Sequence, residues 1–180
     1  MDDSDKTSLP ERKQIRLQKY DYARCGAYFI TICTYNRVHL WGEIVGATLR
    51  GRPHEPHKMV EKWLFKLEEK FENVTMDEYM IMPDHVHLIL FLSGDHMGSP
   101  LPKIMEWFKT MTTNEYIQNV KNGKYPSFEK HIWQRSCFDH VIRNDEDLLE
   151  IRQYIQENPR RWEINRSEDS WHDADDAAIF

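Results

Sequence analysis

Residues 73–92 read NVTMDEYMIM, then Pro83-Asp84, then HVHLILFL. Two apolar, β-rich runs flank a two-residue turn signal, so this stretch predicts an antiparallel pair of strands. In an extended strand, side chains alternate between faces. His85 and His87 therefore share one face, roughly 6.5–7 Å apart along the backbone. Val86, Leu88 and Leu90 share the other, packed face. Two imidazoles converging from one strand can hold a single metal ion with the rigidity of a sheet behind them. The plainer reading of the same pattern is two histidines on a half-buried strand.

The elements around this pair set its context. AYFITICTYN (27–36) is rich in aromatic and β-branched residues and predicts a strand. Residues 39–50 look like shorter extended pieces broken by Gly42 and Gly46. In 57–71, Met59, Val60, Trp63, Leu64 and Leu67 recur at helical spacing with charge between them. A second helix fits 101–121, with Pro102 in its first turn, and a strand fits 131–142. Asn144 is a fair N-cap for a last helix with an acidic first turn (Asp145, Glu146, Asp147), ended by Asn158-Pro159. Strand, helix, strand, strand, helix, strand and a final helix make an α+β chain. This is the ferredoxin-like split βαβ sandwich, with an antiparallel sheet and one C-terminal helix added.

Nothing inside residues 12–166 marks a boundary, so they predict one domain between an acidic N-terminus (1–11) and an acidic tail (167–180) that reads as solvated. The net charge of −6 argues against a nucleic-acid partner until its distribution is considered. The tail SEDSWHDADDAAIF holds acids and no Lys or Arg, whereas Arg12, Lys13, Arg16, Lys19 and Arg24 face a single acid in 12–24. That segment is either a foot on a phosphate backbone or an ordinary solvated stretch. No apolar run approaches twenty residues, so no membrane span is expected. Cys25, Cys33 and Cys137, with no paired spacing, suit free thiols in a reducing cytoplasm.

RLQKYDYARCGAYFITICTYNR, MPDHVHLIL and WQRSCFDHVIRNDEDLLEIRQYIQENPRRW together resemble the REP-associated tyrosine transposases, within the single-tyrosine HUH transposases of bacteria. The likeness spans most of residues 12–166 in order and spacing. It implies a ferredoxin-like fold, metal-dependent cleavage of single-stranded DNA, and recognition of a DNA hairpin. It makes His85 and His87 the metal ligands and Tyr154 the nucleophile. It also places a third polar ligand one turn after the tyrosine, at Asn158. Spacing i to i+4 permits Tyr154 and Asn158 to share a helix face; a helix C-terminal cap is the alternative role for Asn158. Asp139 and His140 match an acidic-His pair in the family, for which structural placement is the simpler role. The 42–57 region is shorter than in the family, and the acidic tail also departs from its pattern.

The residue types suit that chemistry. A tyrosine hydroxyl, with a pKa near 10, needs help to act as a nucleophile. A divalent ion, Mn²⁺ or Mg²⁺, can polarise the scissile phosphate; imidazole suits Mn²⁺ better. Without the resemblance, Tyr154 at the margin of the Leu148, Ile151, Ile155 stripe would be read as packing. Candidate DNA contacts near the tyrosine helix are Arg135, Arg143, Arg152, Arg160 and Arg161, joining the five N-terminal basic residues. Trp107, Trp133 and Trp162 could stack on bases, with core packing the stronger reading for the first two. The expected function is a transposase that cleaves and rejoins single-stranded or hairpin DNA through a 5′-phosphotyrosine, as a monomer or homodimer. The alternatives are a hairpin-binding protein of the same fold without turnover, or an unrelated His-metal hydrolase.

Overall fold

The computed structural model describes residues 25–42, 55–94 and 99–167. Strand β1 is Gly26–Cys33, β2 is Val74–Ile81, β3 is His85–Leu92 and β4 is Phe138–Ile142. Helix α1 is Glu55–Lys70, α2 is Leu101–Lys121 and α3 is Asp145–Ser167. The strands form one sheet in the order β2-β3-β1-β4, every neighbouring pair antiparallel. This is the split βαβ arrangement that the order of elements predicts.

Alternation along β1 and β3 divides the interior in two. Tyr28, Ile30, Ile32, Val86, Leu88 and Leu90 pack with α1 and α2 in the larger core. Ala27, Phe29 and Ile89, on the opposite face, pack with Ile142 of β4 and with Ile151 and Ile155 of α3. The added helix therefore covers the face that α1 and α2 leave open, and that is the face carrying His85 and His87. Its anchor is small, so single residues matter. Ile155→Ala is expected to cost about 2–5 kcal/mol, read as a lowered denaturation midpoint. A loss below about 1 kcal/mol would show that α3 is held by something else.

The β2–β3 turn is buried, which is unusual because connections normally stay wet to satisfy their backbone. Here residues 34–41 supply the partners. The Thr34 N–H donates to the Asp84 carbonyl (2.7 Å) and the Trp41 N–H to the Pro83 carbonyl (3.1 Å). Between those anchors a 3₁₀ turn, Tyr35–Arg37, places Asn36 and Arg37 at φ of 54° and 53°. Left-handed backbone is uncommon for an arginine.

Two expectations need correction. Residues 131–142 do not form one strand: only Phe138–Ile142 does, and Trp133 makes an isolated bridge with Thr34. The register shifts by two residues between the Thr34–Trp133 and Thr31–Phe138 pairs, which loops out exposed Arg135 and Ser136. The Lys109 ammonium donates to the carbonyls of Gln134, Arg135 and Ser136 there (3.0, 3.4 and 3.3 Å). Second, Asn158-Pro159 does not end the last helix, which runs on to Ser167 with Pro159 inside it. A proline in a helix interior removes one backbone bond and costs about 3 kcal/mol. Contacts on both sides of it, Asn158 to His87 and Trp162 to His85, offset that cost.

Among the described residues no helix is long and apolar enough to cross a membrane. The N-terminal basic cluster, the acidic tail and most of the 39–50 stretch lie outside the described residues.

Candidate active site

Register places the site. His87 faces Thr31 across β1 and Met80 across β2, and His85 faces Cys33. Both histidines are buried under α3. Their Nε2 atoms lie 3.0 Å apart. Each Nδ1 points away to its own partner: that of His85 donates to Asp84 Oδ1 at 2.5 Å, and that of His87 lies 2.8 Å from Thr31 Oγ1. With its Nδ1 donating to Asp84, His85 turns the Nε2 lone pair toward Nε2 of His87, where a proton on His87 or a cation between the rings can meet it.

Helix α3 completes the cluster. Asn158, 7% exposed, brings its side-chain amide to 3.1 Å from His87 Nε2. Its nitrogen and oxygen ends exchange by a simple flip, so Oδ1 can face the same point. Tyr154, one turn earlier, packs its ring edge-on to His87 (5.4 Å between centroids) and to Phe29 (6.0 Å). Phe29 also stacks on His87 at 5.5 Å. Residues i and i+4 of one helix thus grip a single imidazole from two sides.

The donor set fits a metal ion. Two bonds of about 2.1 Å at roughly right angles span about 3 Å, which is the separation found between the imidazoles. The third donor is an amide; among the described residues no three His, Cys, Asp or Glu side chains converge. The Asp84–His85 hydrogen bond is the carboxylate–histidine partnership that fixes tautomer and ring orientation in metal sites. Asp84 is buried and receives Arg37 Nη1 at 3.4 Å.

Burial holds the His87 pKa well below its ordinary value of 6.5, and interaction with neighbouring His85 and with Arg37 pushes the same way. The ring therefore stays neutral, as a metal ligand must. The sign of the stability effect follows. In the unfolded chain His87 takes up a proton below about pH 6.5, and in the fold it resists. Metal-free protein is expected to lose melting temperature as pH falls through that range, and His87→Gln to lose less. Equal slopes for both proteins would contradict the assignment.

The other expected site residues scatter. Arg12, Lys13, Arg16, Lys19 and Arg24 fall outside the described residues. Arg135, Arg143, Arg160 and Arg161 are exposed. Arg161 pairs with Glu157 at 3.0 Å, and its guanidinium carbon lies 5.7 Å from the centre of the Tyr154 ring. Arg152 is half-buried and makes a two-pronged contact with Asp77 (2.7 Å each). A bulge in β2 between Met76 and Tyr79 makes this possible by turning Asp77 and Glu78 toward α3, where Gln156 meets Glu78 at 3.2 Å. His140 donates to both oxygens of Asp147 (3.1 and 3.0 Å), fixing the first turn of α3 to β4. Asp139 is buried. Trp133 is buried in the larger core, and Trp107 packs against it. Trp162 instead lies against His85.

Comparison with known proteins settles the family. The profile described as "Transposase IS200 like" matches residues 28–158, which span β1 to Asn158 and so take in the whole cluster. The chain belongs to the IS200-like transposase family. An uncharacterised Haemophilus influenzae protein is 30% identical over 167 residues, covering 86% of this chain and 92% of that protein. A second Haemophilus influenzae protein, provisionally named a REP-associated tyrosine transposase, is 30% identical over 147 residues, covering 77% and 73%. A solved structure of a REP-associated tyrosine transposase bound to a REP hairpin shares the fold. Its TM-score is 0.55 at 20% identity, covering 82% of this chain and 73% of the other.

Proposed function

We propose that this transposase cleaves and rejoins single-stranded or hairpin DNA through a covalent bond to Tyr154, with a divalent ion held by His85, His87 and Asn158. One observation carries the reading: Tyr154 and Asn158, a turn apart on α3, both contact the imidazole of His87. A packing tyrosine has no need of a polar pair beside it. The hairpin-bound relative of the same fold makes folded DNA the natural partner.

The bond changes balance without an external energy source. The Tyr154 oxygen bonds to phosphorus, the bond from phosphorus to O3′ breaks, the hydroxyl proton is lost, and the departing O3′ takes up a proton. The products are a 5′-phosphotyrosine and a free 3′-OH, and attack by the 3′-OH of another strand reverses the step and joins the ends. Bound Mn²⁺ or Mg²⁺ would supply Lewis-acid polarisation of the phosphate oxygens. This chain's own residues hold the reacting groups. Phe29 and His87 fix the plane of the Tyr154 ring. Arg161 brings positive charge to the face of that ring. Asp84 and Thr31 hold the two imidazoles with Nε2 facing inward.

Covalent capture tests the proposal. Protein mixed with Mn²⁺ or Mg²⁺ and labelled hairpin DNA from the flanks of its own gene should give a shifted band on a denaturing gel, absent with EDTA. Tight binding with no band for any flanking hairpin would favour a binding protein of this fold.

A further inference from the structure

The rings around the site do not stop at the proposed metal ligands. They form a continuous row from Tyr154 to His87 (5.4 Å between centroids), His85 (4.5 Å), Trp162 (5.8 Å) and His39 (5.6 Å). The first members are buried or half-buried, whereas His39 is exposed. The row therefore runs from the proposed nucleophile out to the surface.

Three further features mark its outer end. The Trp162 indole N–H is buried and, among the described residues, has no hydrogen-bond partner. Such a donor is costly to leave unmade, and an acceptor on an incoming ligand would satisfy it. Residues 36–39 form an exposed arc that presents Arg37, Val38 and His39, with Val38 51% exposed. The arc is pinned at both ends to the buried turn leading into His85, and it carries two left-handed residues, Asn36 and Arg37. Backbone of that kind persists where surrounding structure enforces it, often beside a ligand. Finally, the His39 and Trp162 rings lie 5.6 Å apart and tilted by 58°, so they meet without stacking face to face.

We propose that Trp162 and His39 form a slot for one unpaired nucleobase of the DNA strand, next to the phosphate attacked by Tyr154. This rests on the tyrosine transposase reading and adds how the strand is held in register. The base stacks on the indole, and exposed His39 swings outward to admit it. The indole N–H meets an acceptor on the base edge or the adjoining phosphate. A duplex cannot use the slot, because its bases are stacked on one another. The slot therefore favours a strand that is unpaired at the cleavage point. Stacking on an aromatic ring tolerates any base, since every base has a π face.

The test walks a single abasic residue along the unpaired arm of a hairpin oligonucleotide from the gene's flanks. Binding and adduct formation are read for wild type, Trp162→Leu, Trp162→Phe and His39→Ala, with melting temperatures alongside. One abasic position should weaken wild-type binding by roughly 5- to 100-fold. That penalty should vanish in Trp162→Leu, shrink in His39→Ala and persist in Trp162→Phe, while other positions behave alike in all four proteins. If Trp162→Leu melts early, Trp162→Phe and His39→Ala decide the matter by the same criterion. No sensitive position in wild type, or an undiminished penalty in both Trp162→Leu and His39→Ala, overturns the slot. An adduct that forms while the penalty ignores both residues removes the slot alone. Absence of both adduct and hairpin binding removes the slot together with the reading beneath it.

Discussion

Tyr154→Phe is expected to abolish the covalent protein–DNA band while hairpin binding and melting temperature stay close to wild type. The contrast comes from what the side chain touches. Its ring makes edge contacts with Phe29 and His87, and phenylalanine keeps both. Only the hydroxyl is lost, and the hydroxyl forms the bond to phosphorus. A drop of roughly 10³-fold or more is the scale for deleting a nucleophile. Among the eight tyrosines of the chain, Tyr28 and Tyr116 lie fully buried in the larger core, and Tyr79 has its hydroxyl on Glu61 at 2.8 Å. Burial and that contact push the Tyr79 pKa up to about 12, the wrong direction for a nucleophile. An adduct of normal yield from Tyr154→Phe would mean that another residue attacks.

The second large effect belongs to the histidines. His87→Ala should lower adduct yield on the order of 10²- to 10³-fold, the scale for removing a group that supports transition-state charge. More Mn²⁺ should not restore it, because one of two imidazoles and the anchor of Asn158 go together. Asp84→Asn is the graded control. It leaves both imidazoles while weakening the hydrogen bond that orients His85 and the Arg37 contact behind it, so metal affinity should fall about 10- to 100-fold and excess Mn²⁺ should recover the yield. The measurement is adduct yield against metal concentration for the three proteins. A wild-type adduct indifferent to EDTA, or superimposable curves, would remove the metal from the mechanism. His87→Ala also opens space beneath Phe29, so its melting temperature has to be read beside the yield.

Much of this could be read locally. The alternating run 85–92 matches β3 to the residue, and 101–121 matches α2 to the residue. Both rest on strong periodicity with clear punctuation. The placement of His85 and His87 on one face follows from the same alternation. Where expectation failed, long-range contacts overrode local preference. Asn158-Pro159 is a sound helix stop in isolation, yet α3 passes through it because Asn158 and Trp162 both find partners on β3. In 131–142, the Lys109 ammonium gathers three carbonyls and loops two residues out of a run whose composition suits a strand. Arg152, a candidate DNA contact by its charge, also meets Asp77 at the β2 bulge, a pairing that nothing local signals. Asp84 is legible only as a turn residue, and nothing within ten positions of it signals that Thr34 and Arg37 meet it or that Trp41 meets Pro83.

The sequence by itself determined the elements, their order, and the facing pair of histidines, because periodicity of two and of 3.6 is a property of consecutive residues. Resemblance to a family's pattern of residues, rather than any local rule, singles out Tyr154. Only the tertiary structure decided that α3 lies on the open face of the sheet with Tyr154 and Asn158 on one imidazole. Only it, too, set Asp84 behind His85 and Trp162 beside it with His39 outermost. Apart from adjacent Asp84 and His85, those contacts join residues from 67 to 123 positions apart in the chain, and which of them form depends on how sheet and helix pack, which no window of neighbouring residues encodes.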